Sequence, residues 1–235
     1  MDNASSNTAS SLRLIPRFSV GERVAHWLLA GAFAVMLASG AFMGGLGPLD
    51  HDVLLIAHVG AAVVLLGGLA VLIGSRRTRR PLAQTADDLR RLTPGDWRWL
   101  RAAPRAYVTG GELPPAGRFN GGQKVNARSL LLVLTLLYVS GLGELGRSTR
   151  VLEPLRTLGA LHGLAAGIAG ALVAGHVYLG LLHPATRPAL RGITRGSVRR
   201  EWAEHHHALW VAGEDRKRPN DDLEETDRER PRSHT

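Results

Sequence analysis

Four long apolar runs dominate the chain: about Val24–Leu46, Val53–Gly74, Val125–Gly143 and Leu158–Leu182. The first contains no Asp, Glu, Lys or Arg, and the third carries a single basic residue, Arg128, near its start. Each is long enough to cross a hydrocarbon core of roughly 30 Å as a helix. The pattern therefore predicts an all-α membrane protein, a bundle of four transmembrane helices. Between the runs the chain is short and polar, except for the long stretch Ser75–Lys124, rich in Arg, Pro and Trp. The stretch through Pro16 opens with Ser-, Asn- and Thr-rich sequence and is expected to be disordered. It lacks a charged segment followed by an apolar core, so it does not read as a cleaved signal peptide. The folded membrane domain is expected over residues 17–210. Beyond it, residues 211–235 mix both charge signs densely and read as a solvated, disordered tail.

The basic residues orient the bundle. Ser75–Lys124 holds eleven Arg or Lys, the linker Gly47–Asp52 holds none, and the linker after the third run holds Arg147, Arg150 and Arg156. Loops rich in Lys and Arg stay in the cytoplasm. The middle stretch is thus expected on the cytoplasmic side of a bacterial inner membrane, and both termini with it.

Composition narrows the chemistry. The 235 residues include no cysteine, which removes disulfides, thiolate metal sites, Fe–S clusters and covalently attached c-type haem. A net charge of +9 and a pI near 11.1 would suit a nucleic-acid binder. The basic residues, however, sit in blocks between uncharged runs, as in a membrane protein, and no nucleic-acid partner is expected.

Ionisable residues inside apolar spans point to function. Four of the ten histidines lie there: His26, His58, His162 and His176. His26 and His176 fall near the cytoplasmic ends of the first and fourth spans. His58 and His162 fall near the outer ends of the second and fourth. Fourteen residues separate His162 from His176, a little under four turns, so both point to nearly one side of the helix, about 21 Å apart along the axis. Facing histidines in a bundle can hold a haem iron from both sides, and two such pairs make room for two stacked b haems. A lone membrane histidine is explained as readily by a hydrogen bond to a carbonyl; four at paired depths are not. Gly60, Ala61, Ala62, Gly159, Ala160, Gly163, Ala165, Ala166, Ala174, Gly175 and Gly180 surround them. Such residues allow close helix packing and also leave space for a flat macrocycle. His51 and His183 read as interfacial. An amphipathic helix is expected over Val198–Glu204, with His205, His206 and His207 after it on a solvated or partner-facing surface.

Several segments resemble the cytochrome b (gamma) subunit of membrane-bound respiratory formate dehydrogenases. They are Arg17-Phe18-Ser19, Glu22-Arg23-Val24-Ala25-His26-Trp27, the Asn-x-Gly-Gln-Lys stretch of Asn120–Lys124, the His162/His176 spacing, and Gly192–Trp210 with its Arg199-Arg200, Trp202-Ala203 and His205-His206. The resemblance covers Arg17 to Trp210. The span histidines alone are shared with [NiFe]-hydrogenase cytochrome b and other di-haem relatives. The resemblance implies that His26 and His176 ligate the iron of a cytoplasmic-side haem b, and His58 and His162 that of an outer-side one. It further implies a menaquinone (or ubiquinone) pocket lined by Asn120, Gly122 and Gln123 with His176 close by. Read without it, Asn120–Lys124 is a loop that starts a helix, Asn120 capping and Lys124 snorkelling.

As the resemblance has it, the chain anchors an Fe–S (beta) subunit and a molybdenum or tungsten catalytic (alpha) subunit in the lipid. It passes electrons from the Fe–S subunit to quinone, as part of a formate:quinone oxidoreductase assembled as a trimer of heterotrimers, with no substrate oxidation in this chain. Two alternatives stay open. One keeps the haems and exchanges the donor for a [NiFe] hydrogenase or another respiratory oxidoreductase. The other is a haem-free membrane anchor or transport protein whose histidines only pack.

Overall fold

The computed structural model describes residues 13–147 and 158–217. Its frame is four helices long and apolar enough to cross a membrane: Val20–Leu46, His51–Gly74, Gly121–Leu145 and Leu158–Leu182. Helix α1 is Val20–Ala41, continued by a π-helical turn over Phe42–Leu46; α2 is His51–Gly74. Two amphipathic helices follow, α3 (Arg76–Arg90) and α4 (Pro94–Thr109), then the third span α5 (Gly121–Arg147). The fourth, α6, covers Leu158–Val177 and also ends in a π-helical turn, Tyr178–Leu182. Three short helices close the chain: α7 (Leu190–Arg195), α8 (Arg200–His206) and α9 (Ala208–Lys217). The protein is an all-α, four-helix membrane bundle.

The first three spans begin earlier than hydropathy alone places them, because their caps are polar. Ser19 and Glu22 form a reciprocal capping box on α1, with Ser19 N–H donating to Glu22 at 2.7 Å. Asp50 accepts from Asp52 N–H and Val53 N–H, both at 3.0 Å, to start α2. Asn120 and Gln123 cap α5 reciprocally: each side-chain oxygen accepts the other's backbone N–H, at 2.9 and 3.0 Å. Such boxes satisfy the orphan donors of a first helical turn.

Span α1 lies along α2, and α5 along α6. The two hairpins meet through Phe33 of α1, Val133 of α5, and Ala165 and Ala169 of α6, with Leu134, Leu137, Leu172 and Val173 packed around them. Most other apolar side chains on the spans point outward, among them Val63, Leu131, Val139 and Leu164. That is the surface a lipid solvent accepts.

The middle stretch, expected as a polar loop, is largely helical. Thr93 and Asp96 cap α4 with Pro94 in its first turn, and Gly110 ends it at φ 73°. Trp99 and Ala103 of α4 bury against Ala116. Three other expectations change. Residues Leu14–Pro16, placed within a disordered N-terminus, form a strand, β1, antiparallel to β2 (Ser197–Arg199) with Ile15 opposite Val198. Val198 accordingly belongs to a strand, and the helix expected from it starts at Arg200. Residues 211–217, assigned to the tail, lie in α9, where Trp210 and Val211 bury against Ile15, Val198 and Ala203. The remaining tail, the first twelve residues, Arg150 and Arg156 lie outside the described residues.

The β1–β2 pairing places the chain before the first span and after the fourth on one face. The middle stretch joins them there: Arg118 pairs with Glu22 of α1 at 2.7 Å, and Thr85 of α3 donates to the same carboxylate.

Candidate functional site

Four span histidines form two pairs. His26 of α1 faces His176 of α6, with ring centroids 6.1 Å apart and planes at 60°. His58 of α2 faces His162 of α6, at 6.1 Å and 59°. The first pair lies towards the face that carries the β-ribbon, the second towards the opposite face. The pairing expected from depth is therefore the pairing the bundle makes.

The spacing is informative. A nitrogen bound to a transition metal sits about 2 Å from it and about 1 Å from its own ring centre. Two imidazoles on opposite sides of one ion thus have centroids roughly 6 Å apart. The sequence around the pairs is small, and not because helices press on it. A Cβ added at Gly60, Gly163, Gly175 or Gly180 would meet no atom within 4 Å. Gly159 does pack, against Glu144.

Residues 17–196 match the prokaryotic cytochrome b561 family. The chain belongs to that family. It is thus a membrane cytochrome b, a haem b electron-transfer protein. No curated protein matches it. Within this cytochrome b the donor set fits the cofactor: two facing imidazoles per site, no thiolate, and small residues beside the rings.

The structure gives the expected quinone residues a structural task. Asn120 and Gln123 spend their carbonyl oxygens on each other's backbone, and among the described residues neither side-chain amide nitrogen has a hydrogen-bond partner. Gly122 packs against Trp99, whose Cζ3 lies 2.9 Å from where a Cβ would be; at Gly121 the obstacle is the Asp96 carbonyl, at 2.6 Å. The glycine pair lets α4 dock on the start of α5. Among the described residues no hydrogen bond or ring contact joins this group to His176. Lys124 does not snorkel. It is buried, paired with Asp96 at 2.8 Å and bonded to the Arg91 carbonyl at 3.0 Å.

Sequence reasoning missed a buried polar cluster beside the β-ribbon. His207, expected on a solvated surface, is 1 % exposed. Its ring nitrogens meet the Gly117 carbonyl at 2.7 Å and the Arg17 guanidinium at 3.1 Å. Arg17 is buried too, and its guanidinium lies 5.4 to 5.6 Å from the ring centres of Phe18, Trp202 and Trp210. Those faces stand in for hydrogen bonds that its Nε and Nη1 do not make. Burial, with Arg118 adding repulsion, pulls the Arg17 pKa down to about 9. Burial and the neighbouring Arg17 charge press His207 down to about 3, so its ring is neutral at pH 7. His206 stacks on Trp202 at 4.8 Å. His183 takes edge contacts from Tyr107 and Tyr178, as an interfacial side chain would. Among the described residues no three His, Asp or Glu side chains gather as a metal-holding group; within the 205–207 run His207 is buried, His206 half-buried and His205 exposed.

Proposed function

We propose that this cytochrome b561-family chain is the membrane-anchoring, di-haem electron-transfer subunit of a respiratory formate dehydrogenase, passing electrons from an Fe–S subunit to quinone. The observation that carries the reading is the repetition of one geometry, two histidine pairs each 6.1 Å apart, at opposite ends of one bundle. His26 and His176 would hold one haem b, and His58 and His162 the other. A b haem with two protein ligands supplies one-electron relay and offers no open position for substrate.

The chain's own residues supply the rest. All four histidines lie in apolar spans, where His26, His58 and His162 are half-buried and His176 is exposed. The free amides of Asn120 and Gln123 are hydrogen-bond donors suited to quinone carbonyls, on the face that holds the basic middle stretch. That face is read as cytoplasmic from its Arg content, so protons for quinone reduction would be drawn from the cytoplasm of a bacterial inner membrane. The molybdenum or tungsten subunit would sit beyond the Fe–S partner on the opposite side, and the whole could assemble as a trimer of heterotrimers.

A second reading changes only the donor. The family is also labelled for the cytochrome b of nickel hydrogenases, and the histidine pairs serve a [NiFe] hydrogenase equally well. One experiment separates the readings: a pyridine haemochrome assay on the purified chain, followed by haem reduction in membranes given formate or hydrogen. About two haems b per chain, reduced by formate, is the expected result. Reduction by hydrogen alone would favour the second reading. A well-folded chain without haem would leave a haem-free anchor or transport protein.

A further inference from the structure

We infer that Ser39 and Ser140 are positioning residues that set how strongly His58 and His162 donate to a metal, and thereby lower the potential of one haem and not the other. The inference rests on reading these two histidines as residues that would hold a haem.

Each histidine leans its Nδ1 on a serine of the preceding span. Ser39 Oγ lies 3.0 Å from His58 Nδ1, and Ser140 Oγ lies 3.0 Å from His162 Nδ1. The proton positions follow from what else the hydroxyls do. Ser39 donates to the Val35 carbonyl at 2.7 Å, with the Met36 carbonyl second at 3.2 Å. Ser140 donates to Leu136 at 2.6 Å, with Leu137 second at 3.2 Å. A serine has one proton, and each is spent on its own helix. The oxygen can then only accept, so the proton between serine and imidazole sits on Nδ1. Nε2 is left with its lone pair, the form that binds iron.

The arrangement occurs twice, once in each helical hairpin. Both serines are 4 % exposed, so water does not compete for them. A glycine follows each, Gly40 and Gly141, and a Cβ there would come within 3.5 and 3.3 Å of the imidazole Cε1. At Gly141 an added Cβ would press on the His162 ring, while at Gly40 it would make ordinary contact with His58. Among the described residues His26 and His176 have no hydrogen-bond partner for their rings, so the support is confined to one end of the bundle.

A ligand N–H that donates to a good acceptor makes its imidazole more basic, and a hydroxyl already donating to a carbonyl is a better acceptor than a free one. More basic ligands favour ferric iron. The His58–His162 site is therefore the harder of the two to reduce, which suits the entry end of a relay whose exit is at His26–His176.

The test is potentiometric titration of the purified full chain, with each low-spin ferric signal followed by electron paramagnetic resonance, after haem content has been measured. Ser39→Ala and Ser140→Ala should each move one midpoint upward by about threefold in the reduction equilibrium, roughly 30 mV for one electron, and leave the other in place. Ser39→Thr and Ser140→Thr should restore it. Where alanine strips the haem, Ser39→Cys carries the measurement, since a thiol accepts weakly. Unmoved midpoints in haem-replete variants, or threonine shifting the midpoint as far as alanine does, would overturn the inference. Wild-type protein without haem would overturn the ligand reading beneath it.

Discussion

His58 and His162 face each other at 6.1 Å with planes at 59°, almost the same arrangement that His26 and His176 make at the other end of the bundle, 6.1 Å and 60°. One helix, α6, supplies a partner to both, so its fourteen-residue spacing sets the separation of the two sites. Histidines that merely satisfied backbone carbonyls would have no reason to repeat one ring geometry at two depths.

If each pair holds an iron, each site should fail alone. His162→Ala and His176→Ala should each lower the haem content by about one per chain, with the remaining haem keeping its reduced spectrum. Loss of both haems from either variant would mean that the sites fold as a unit.

The capping by Asn120 can be separated from its proposed quinone contact. Asp and Asn cap helices about equally well, but Asp lacks the amide donor. Asn120→Asp should therefore keep the thermal midpoint and raise KM for quinone, whereas Asn120→Ala should also lose about 1 kcal/mol of stability. Equal quinone kinetics in Asn120→Asp and wild type would reduce Asn120 to a cap.

The four spans and the histidine pairs were legible because each rests on a local or one-dimensional signal. Length and apolarity define a span, and depth along it sorts the histidines. The buried cluster was not legible. His207 reads as one of three polar neighbours until β1 pairs with β2 and brings Arg17 across to it. The middle helices were hidden by their charge: α3 is apolar nowhere along its length for more than two residues together, and its order comes from Thr85 meeting Glu22 and Asp88 pairing with Arg118, which itself holds Glu22. The serines were equally hidden, since a hydroxyl in an apolar run is ordinary until a ring on the next helix is seen against it.

The Lys124–Asp96 pair should matter more than any surface pair. Its side chains are 11 % and 6 % exposed, and a buried pair broken from one side costs about 3–5 kcal/mol. Asp96→Ala should accordingly loosen α4 from α5, seen as faster proteolysis between them. Asp87→Ala, which removes the exposed partner of Arg90 and Arg91, should leave that rate unchanged.

Acid should open the ribbon end first. His207 titrates near 6.5 when unfolded and near 3 in the fold. Between those values the unfolded state binds more protons, so stability falls as the pH drops from 6.5 towards 3. Fluorescence of Trp202 and Trp210 should report the loosening, and His207→Gln should flatten its pH dependence over that window. An unchanged slope would assign the acid sensitivity elsewhere.

The two-stranded ribbon joins residues 14–16 to residues 197–199, and this fixes an order of assembly. During synthesis the first strand is made before any span, and it must wait until the fourth span has crossed the bilayer before its mate exists. Until then Ile15 has no Val198 beside it and Arg17 no aromatic cage. Residues 14–17 are thus ordered only after the fourth span, and a nascent chain stalled before Ser197 would leave them open to proteases beside otherwise inserted helices.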